Sequence, residues 1–477
     1  MARINTNVPS LMAQADLKKA NHSLDTALQR LSSGLRINRG ADDPAGLIAS
    51  ETLRSELQGV QQGVENSQRA ASVIATAEGA LNEVASLLTN IKSLTVQAAN
   101  TGGMSPDEIR ANQLQIDSAV QSITRIANVT NFAGLNLLDG SLDYNVSGVA
   151  DSELSEVSVF NAQFGTASNI PVDVDVTTSA QPATMLYPMS MISGAVTLEV
   201  AGVHGVETLQ FASGTDSDVL MDAINQVREA TGVSAALANG GTASNGILLY
   251  STEWGSDAFV SVDRLTGGDF VTKDSTDTNV IRRAEGRDVA GTINGAYTVG
   301  KGLSLSLNTT YLTLDVKVDE TLGDGESSFT ITGGGALFQL GPHVSINEQR
   351  SFGIQSMVAS RLGDSEDGYL SQVVTGGEYS LVAGEAGQAA DIIDKAISQV
   401  AALRGRMGAF EKNTLMTNIN SLEIALENIQ ASESSIRDAD FAAETANLTR
   451  GQILTNAATS VLAIANSTPQ NVLSLLQ

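Results

Sequence analysis

The sequence predicts an α+β protein in which both termini form a long antiparallel α-helical, coiled-coil rod and the middle forms an inserted β-rich outer domain. Three patterns support this prediction. Segments of the middle, such as 172–176, alternate valine and aspartate with the period of two that is typical of strands. Towards both ends, apolar residues instead recur at steps of three and four, the spacing of a coiled-coil seam. They are Leu17, Leu24, Leu28, Leu31 and Leu35 near the N-terminus, and Leu415, Ile419, Leu422, Leu426, Ile429 and Ile436 near the C-terminus.

The N-terminal third is predicted to form three helices. The first is poor in large apolar residues, so we expect it to be loosely ordered in an isolated chain. Gly34 and Gly40 separate it from the second helix, which Asp42 or Asp43 caps just before Pro44. The third begins with the cap sequence of residues 105–108. The predicted helices cover residues 10–36, 44–100 and 105–128.

The C-terminal stripe predicts one continuous helix. Neither Gly nor Pro occurs between Ala409 and Arg450, and the stripe resumes after Gly451 as far as Ala465. At 1.5 Å rise per residue, a helix over 415–465 would be roughly 75 Å long. Such a helix needs a partner, and the N-terminal stripe supplies one.

The middle of the chain has the alternating apolar and polar pattern of a β-rich domain. Strand patterns also occur at 196–200 and 303–307. One helix is predicted among them, with its cap around Ser217 and Asp218.

Composition excludes several functions. The net charge of −26, from 27 basic and 53 acidic residues, opposes binding to nucleic acid, because phosphate contacts require Lys and Arg. The absence of cysteine excludes disulfides, thiolate metal sites and cysteine nucleophiles. No apolar run is long enough to insert into a membrane, and polar residues interrupt the position of a cleaved secretory signal.

No residues are arranged for catalysis, for a cofactor or for a metal. His22, His204 and His343 are isolated from one another and are interpreted as structural or solvated. Asp173 and Asp175 lie on one strand face, and a solvated face is favoured over a calcium site. We therefore expect no enzyme activity, no catalytic residue, no cofactor and no metal.

Four motifs resemble, in order, the markers of bacterial flagellin. They lie at residues 31–46, 131–138, 435–441 and 469–476. The segment 196–262 also resembles a β-rich insertion module of some flagellins, and 336–341 resembles the strand that begins a hairpin packed on the family's helical rod.

The resemblance implies five segments. Residues 1–40 and 437–477 are expected to form the terminal coiled-coil core, and residues 41–150 and 336–436 the helical rod with its return hairpin. The inserted outer domain is expected at residues 151–335.

The resemblance also implies the function of a flagellin. The chain is expected to be exported unfolded through the flagellar type III apparatus and to polymerise with itself into an extracellular filament for motility. The implied partners are an export chaperone, the cap and the hook-associated proteins, with no nucleic acid and no membrane insertion. Two alternatives remain: a hook–filament junction protein, or an extracellular adhesin or enzyme carried on the insert.

Two groups of candidate residues follow. Arg36 and Asp43 flank the glycine hinge and form either a local salt bridge or a contact between subunits, and the resemblance favours the contact. The predicted assembly seam consists of Leu24, Leu28, Leu31, Leu35, Arg36, Asp43, Leu454, Val461 and Leu473.

The second group concerns the animal Toll-like receptor that senses flagellin. Leu94 and Gln97 keep the family's residues on the receptor-contacting helices. Asn90 stands where recognised flagellins have Arg, and Gln115 where they have Glu. We therefore expect weak or absent receptor activation.

Overall fold

The structure is a computed structural model that describes residues 6–238, 246–275 and 277–474, with side chains described as far as residue 468. Helices occupy both ends of the chain and strands occupy the middle, which confirms the predicted α+β class. The helices are α1 (Val8–Ser33), α2 (Pro44–Ala98), α3 (Pro106–Val129), α4 (Ser217–Gln226), α5 (Arg228–Thr231), α6 (Ala386–Phe410), α7 (Thr417–Arg437) and α8 (Phe441–Ser474).

The strands follow α3 and end before α6. In chain order they are β1 (Asn131–Phe132), β2 (Leu135–Asn136), β3 (Tyr144–Ser147), β4 (Leu154–Ala162), β5 (Ile170–Thr178), β6 (Pro182–Tyr187), β7 (Val196–Ala201), β8 (Val206–Phe211), β9 (Val233–Leu237), β10 (Ile247–Trp254), β11 (Phe259–Gly267), β12 (Arg283–Glu285), β13 (Ala290–Ile293), β14 (Ala296–Tyr297), β15 (Val299–Lys301), β16 (Ser304–Asn308), β17 (Leu312–Val318), β18 (Glu326–Gly334), β19 (Ala336–Gln339), β20 (Gln349–Phe352), β21 (Gly363–Asp364) and β22 (Gly368–Tyr369).

The described chain divides into two compact units. The terminal unit comprises residues 6–71, 339–349 and 410–474, and the central unit comprises residues 72–338 and 350–409. No described helix is long and apolar enough to cross a membrane.

Local capping explains where the N-terminal helices begin and end. Asp43 Oδ1 accepts a hydrogen bond from the backbone N–H of Gly46, so Asp43 caps α2 as predicted. Ser105 and Glu108 form the predicted capping box of α3. The first helix ends at Ser33 rather than at residue 36, because Gly34 adopts a left-handed conformation with φ of 73°.

The prediction of one continuous C-terminal helix is wrong. A π-helical turn at Glu411–Met416 precedes α7. Asp438 is extended at the end of α7 and forms a β-bridge with Leu35. Asp440 Oδ1 then accepts hydrogen bonds from the N–H groups of Ala442 and Ala443 and so caps α8. The break therefore needs neither Gly nor Pro.

Two β-sheets of the central unit share one core. A five-stranded sheet has the order β14-β13-β5-β18-β3, and a four-stranded sheet has the order β15-β16-β17-β4. Val172, Val174 and Val176 of β5 point into this core because alternate residues of a strand share a face. Asp173 and Asp175 lie on the outer face of β5, as predicted.

A second core lies between a three-stranded sheet, β6-β10-β9, and a four-stranded sheet, β12-β11-β7-β8. Leu220 and Ile224 of α4 are buried in it. The predicted cap at Ser217 is wrong, because Asp216 precedes the helix without a side-chain cap bond. The Ser217 hydroxyl instead donates to the carbonyl oxygen of Met189.

Strands β19 and β20 form the predicted hairpin, and its loop lies on the helices of the terminal unit. Asn418 Nδ2 of α7 donates to the carbonyl oxygen of Leu340 at 2.9 Å. The glycines of α2 leave space for the loop, because a Cβ on Gly63 would lie 3.0 Å from that same oxygen. A Cβ on Gly59 would lie 3.0 Å from Cβ of Pro342.

Candidate assembly surface

Helices α1 and α8 pair antiparallel. Asn7 at the start of α1 lies beside Ala465 of α8, whereas Arg30 near the end of α1 lies beside Glu444 at the start of α8. The buried residues on each helix recur mainly at multiples of seven, as in a coiled coil. They are Ser10, Ala13, Ala20 and Ala27 on α1, and Glu444, Gly451 and Ala465 on α8.

Small side chains let these two helices approach closely. Leu24 covers Gly451, and a Cβ placed on Gly451 would lie 3.4 Å from both Cα and Cβ of Leu24. The face between α1 and α8 is therefore built mainly from Ala, Gly and Ser rather than from the leucines that the sequence pattern singled out.

Polar contacts hold both ends of the pair. Arg30 Nη1 donates to Glu444 Oε1 at 3.0 Å, and the two side chains are only 28% and 10% exposed. At the other end, Asn7 Nδ2 donates to the carbonyl oxygen of Ala465 at 2.8 Å. Ser10 Oγ donates to Asn466 Oδ1 at 2.7 Å. Charged side chains this well covered are normally paired, as they are here.

Large apolar side chains of the same helices remain in contact with solvent. Val461 is 54% exposed and Leu454 is 50% exposed. Because several large apolar side chains are exposed on the same two helices, this pair is a candidate surface for association. The exposed members are Val8, Leu11, Met12 and Leu28 on α1, and Phe441, Ile453, Leu454, Val461 and Ile464 on α8.

The described apolar residues of the predicted assembly seam fall into two groups. Leu24, Leu31 and Leu35 are half-buried beside the small-residue face. Leu28, Leu454 and Val461 are exposed. The side chain of Leu473 lies outside the described part of the chain.

The hinge between α1 and α2 is tied to the junction of α7 and α8. The N–H of Arg36 donates to the carbonyl of Arg437 at 2.7 Å, and the N–H of Ala439 donates to the carbonyl of Gly34 at 2.9 Å. The guanidinium of Arg36 donates to the carbonyl of Ile436, so it does not form the local salt bridge with Asp43.

Within this hinge, the side chain of Asp42 organises the loop. Its carboxylate accepts hydrogen bonds from the backbone N–H groups of Arg39 and Asn38. These bonds favour the charged form and lower the pKa of Asp42 below its ordinary value.

Helix α7 also presents apolar side chains that the chain itself covers incompletely. None of its residues is fully buried. Leu422, Leu426 and Ile429 of the C-terminal apolar stripe are half-buried, and Ile424 is 62% exposed. Arg437 anchors the end of the helix to Glu51 of α2 at 2.9 Å.

The predicted receptor-contacting residues lie on α2 and α3 in the central unit. Asn90, Gln97 and Gln115 are exposed, and Leu94 is half-buried. Gln97 Oε1 accepts a hydrogen bond from Asn112 Nδ2 at 3.3 Å.

Sequence reasoning missed Arg30, Glu444 and the small-residue face. A signal for them was present, because Ala13, Ala20 and Ala27 are spaced by seven, as are Glu444 and Gly451. The leucine stripe beside them masked this repeat, since large side chains dominate any apolar pattern.

Residues elsewhere in the described chain do not suggest reactive chemistry. No group of three or more His, Asp or Glu among the described residues is placed to hold a metal ion. The His204 ring contacts Glu253 Oε1 at 3.1 Å and the carbonyl oxygen of Glu229 at 3.2 Å, so it has a structural role between α5 and β10.

Closely paired terminal helices with exposed apolar side chains, and no cluster suited to catalysis among the described residues, are typical of a structural protein. Two family models match the chain. The bacterial flagellin N-terminal helical region matches residues 4–143, and the bacterial flagellin C-terminal helical region matches residues 390–476.

Curated flagellins match over nearly their whole length. B-type flagellin of Pseudomonas aeruginosa is 30% identical over 532 aligned residues, covering 99% of this chain and 99% of the relative. Flagellin of Salmonella muenchen is 29% identical, with the same coverage of both chains. Flagellin B of Helicobacter pylori is 29% identical and covers 100% of this chain and 99% of the relative. The chain belongs to the bacterial flagellin family. It is a structural subunit of the flagellar filament and not an enzyme.

Proposed function

We propose that the chain polymerises with copies of itself, and that neighbouring copies cover the exposed apolar residues of α1, α7 and α8. The observation that carries this proposal is the division of side chains in the α1–α8 pair. Small residues close the pair within one chain, and large residues such as Leu28, Leu454 and Val461 remain outside it.

The energetics favour assembly through this surface. Fully burying a Val, Leu or Ile side chain contributes about 1.5–3 kcal/mol. Several such side chains on each copy supply a driving force comparable to the stability of a typical domain, which is about 5–15 kcal/mol. Ordering of the terminal helices and assembly of the filament are therefore coupled.

A pair of aspartate substitutions on α8 tests this proposal. Val461→Asp places an unpaired carboxylate on the surface that a neighbour covers, so we expect polymerisation to be lost. Thr459→Asp adds the same charge two residues away, roughly 200° around the helix. We expect this control to keep polymerisation, as measured by sedimentation and negative-stain electron microscopy.

Two further variants sharpen the test. Leu31→Asp is expected to block assembly, whereas Ser217→Ala in the central unit is expected to leave it unchanged. Equal loss of filaments in Val461→Asp, Thr459→Asp and Ser217→Ala would contradict the proposed location of the contacts.

The remaining partners and locations follow from the same role. We infer that the chain is secreted through the flagellar export apparatus with an export chaperone, and that it joins the filament between the hook-associated proteins and the cap. The segment 151–335 is proposed as the outer domain, which does not supply the contacts between terminal helices. Arg36 and Asp43 are proposed as contacts between copies, in addition to their roles within one chain.

A further inference from the structure

A different rotational setting of α1 and α8 would bury more of their large apolar side chains. Leu28 follows Ala27 by one residue, so it lies roughly 100° around α1 from the line of buried alanines, on the same side as the half-buried Leu24. Leu454 follows Gly451 by three residues and lies roughly 60° around α8 from the buried line. Rotation of each helix about its own axis would turn these exposed side chains inward. The hydrophobic effect favours that rotation, which would hide the residues proposed for assembly.

The Arg30–Glu444 ion pair is incompatible with the rotated arrangement. Arg30 follows Ala27 by three residues, so it lies roughly 60° from the alanine line, on the side opposite Leu28. Rotation that brings Leu28 towards α8 therefore carries Arg30 away. Glu444 lies on the buried line of α8, seven residues before Gly451. Rotation that brings Leu454 towards α1 therefore turns Glu444 out of the contact face.

Separation of the two side chains would be unfavourable. Both are well covered, and a buried charge that loses its partner costs much more than an exposed charge pair contributes. Asn447 Nδ2 lies 3.4 Å from the other carboxylate oxygen of Glu444, and Glu444 is the only acidic residue that bonds Arg30 among the described residues. At the far end, the bonds of Asn7 and Ser10 to α8 oppose the same rotation.

We propose that the Arg30–Glu444 ion pair fixes the rotational setting of α1 and α8, with small residues inward, and so keeps the leucines available to neighbouring copies. Both residues are positioning residues for assembly. This inference rests on the proposed function, since it assigns a purpose to side chains that self-association would cover.

The cysteine-free chain permits a direct test by disulfide formation. The Cβ positions of residues 24 and 451 lie 3.4 Å apart, close to the ~3.5–4.5 Å of a disulfide. Leu24→Cys combined with Gly451→Cys therefore reports the observed setting of the helices. An intramolecular bond is recognised by the mass of a single chain under non-reducing conditions, in both unpolymerised protein and filaments.

Charge reversal in this background tests the ion pair. Arg30→Glu alone and Glu444→Arg alone are each expected to slow disulfide formation by about tenfold, the factor that a coupling near 1.4 kcal/mol produces. The double reversal is expected to restore the rate. Arg110→Glu is the matched control, because Arg110 pairs with Asp107 at an exposed position on α3, and its reversal is expected to change nothing.

Each outcome decides the proposal. Unchanged rates of disulfide formation in the single variants would overturn the proposal. The rotational setting of α1 and α8 would then be attributed to the backbone bridge between Leu35 and Asp438. Failure of the double reversal to restore the rate would also overturn it. If the disulfide responds as expected but the parent chain forms no filament, the positioning role stands and the proposed function fails.

Discussion

A methyl group added at Gly63 tests whether the return hairpin is held against α2. Alanine in place of glycine within a helix ordinarily gains about 1 kcal/mol of stability. At Gly63 the new Cβ would lie 3.0 Å from the carbonyl oxygen of Leu340 and 3.1 Å from Cδ1 of Leu422. The leucine side chain can shift, but the carbonyl oxygen belongs to the backbone and also accepts the bond from Asn418. Overpacking of this kind costs about 1–3 kcal/mol. Loss of the Asn418 bond would add about 1 kcal/mol.

We therefore expect Gly63→Ala to lower the free energy of unfolding by about 1–3 kcal/mol, because overpacking and a lost hydrogen bond outweigh the helical gain. The matched control is Gly79→Ala in the same helix, where no atom lies within 4 Å of the added Cβ. This control should gain about 1 kcal/mol. Urea unfolding followed by helical circular dichroism measures both. Equal stabilisation by the two alanines would refute the close contact between the hairpin and α2.

Three further predictions concern the central unit. Burial raises the pKa of Asp143, so this group stabilises the fold at low pH and loses that contribution as pH rises through its raised pKa. Asp143→Asn should therefore raise the urea midpoint, followed by the fluorescence of Trp254, at pH 7 but not below about pH 4. Deletion of 151–335 should leave thinner filaments in electron micrographs, and complete loss of filaments would show that this segment supplies essential contacts. In a reporter-cell assay the purified monomer should activate the receptor weakly, and Asn90→Arg with Gln115→Glu should restore the response. Activation equal to that of a recognised flagellin would contradict this last prediction.

Features governed by residues close in sequence were predictable. Ser105 and Glu108 are three residues apart, and their reciprocal bonds start α3 at the predicted position. Asp43 and Pro44 likewise start α2. The alternation of Val and Asp at the start of β5 predicted which residues would be buried, since the period of a strand depends only on local geometry.

Features that depend on distant residues were not predictable in the same way. The break between α7 and α8 occurs where Asp438 pairs with Leu35, about 400 positions away in the sequence. Asp440 is a residue type that favours a helix cap, but without a Gly or Pro beside it this local signal did not indicate the break. The Ser217 hydroxyl similarly donates a hydrogen bond to the carbonyl oxygen of Met189, which lies 28 residues earlier in the chain, and so does not cap α4.

The sequence indicated only part of the surface that we propose for assembly, and the reason is physical. A periodic apolar stripe identifies which side of a helix avoids water, but it does not identify what covers that side. Leu24 and Leu31 fit equally well against α8 of the same chain or against another copy. The choice depends on residues that carry little hydrophobic signal, namely the alanines that permit close approach and the pair Arg30 and Glu444. Where large apolar side chains are left exposed, as Leu28 and Leu454 are here, the contacts within one molecule are therefore better sought in repeats of small residues and in well-covered charges.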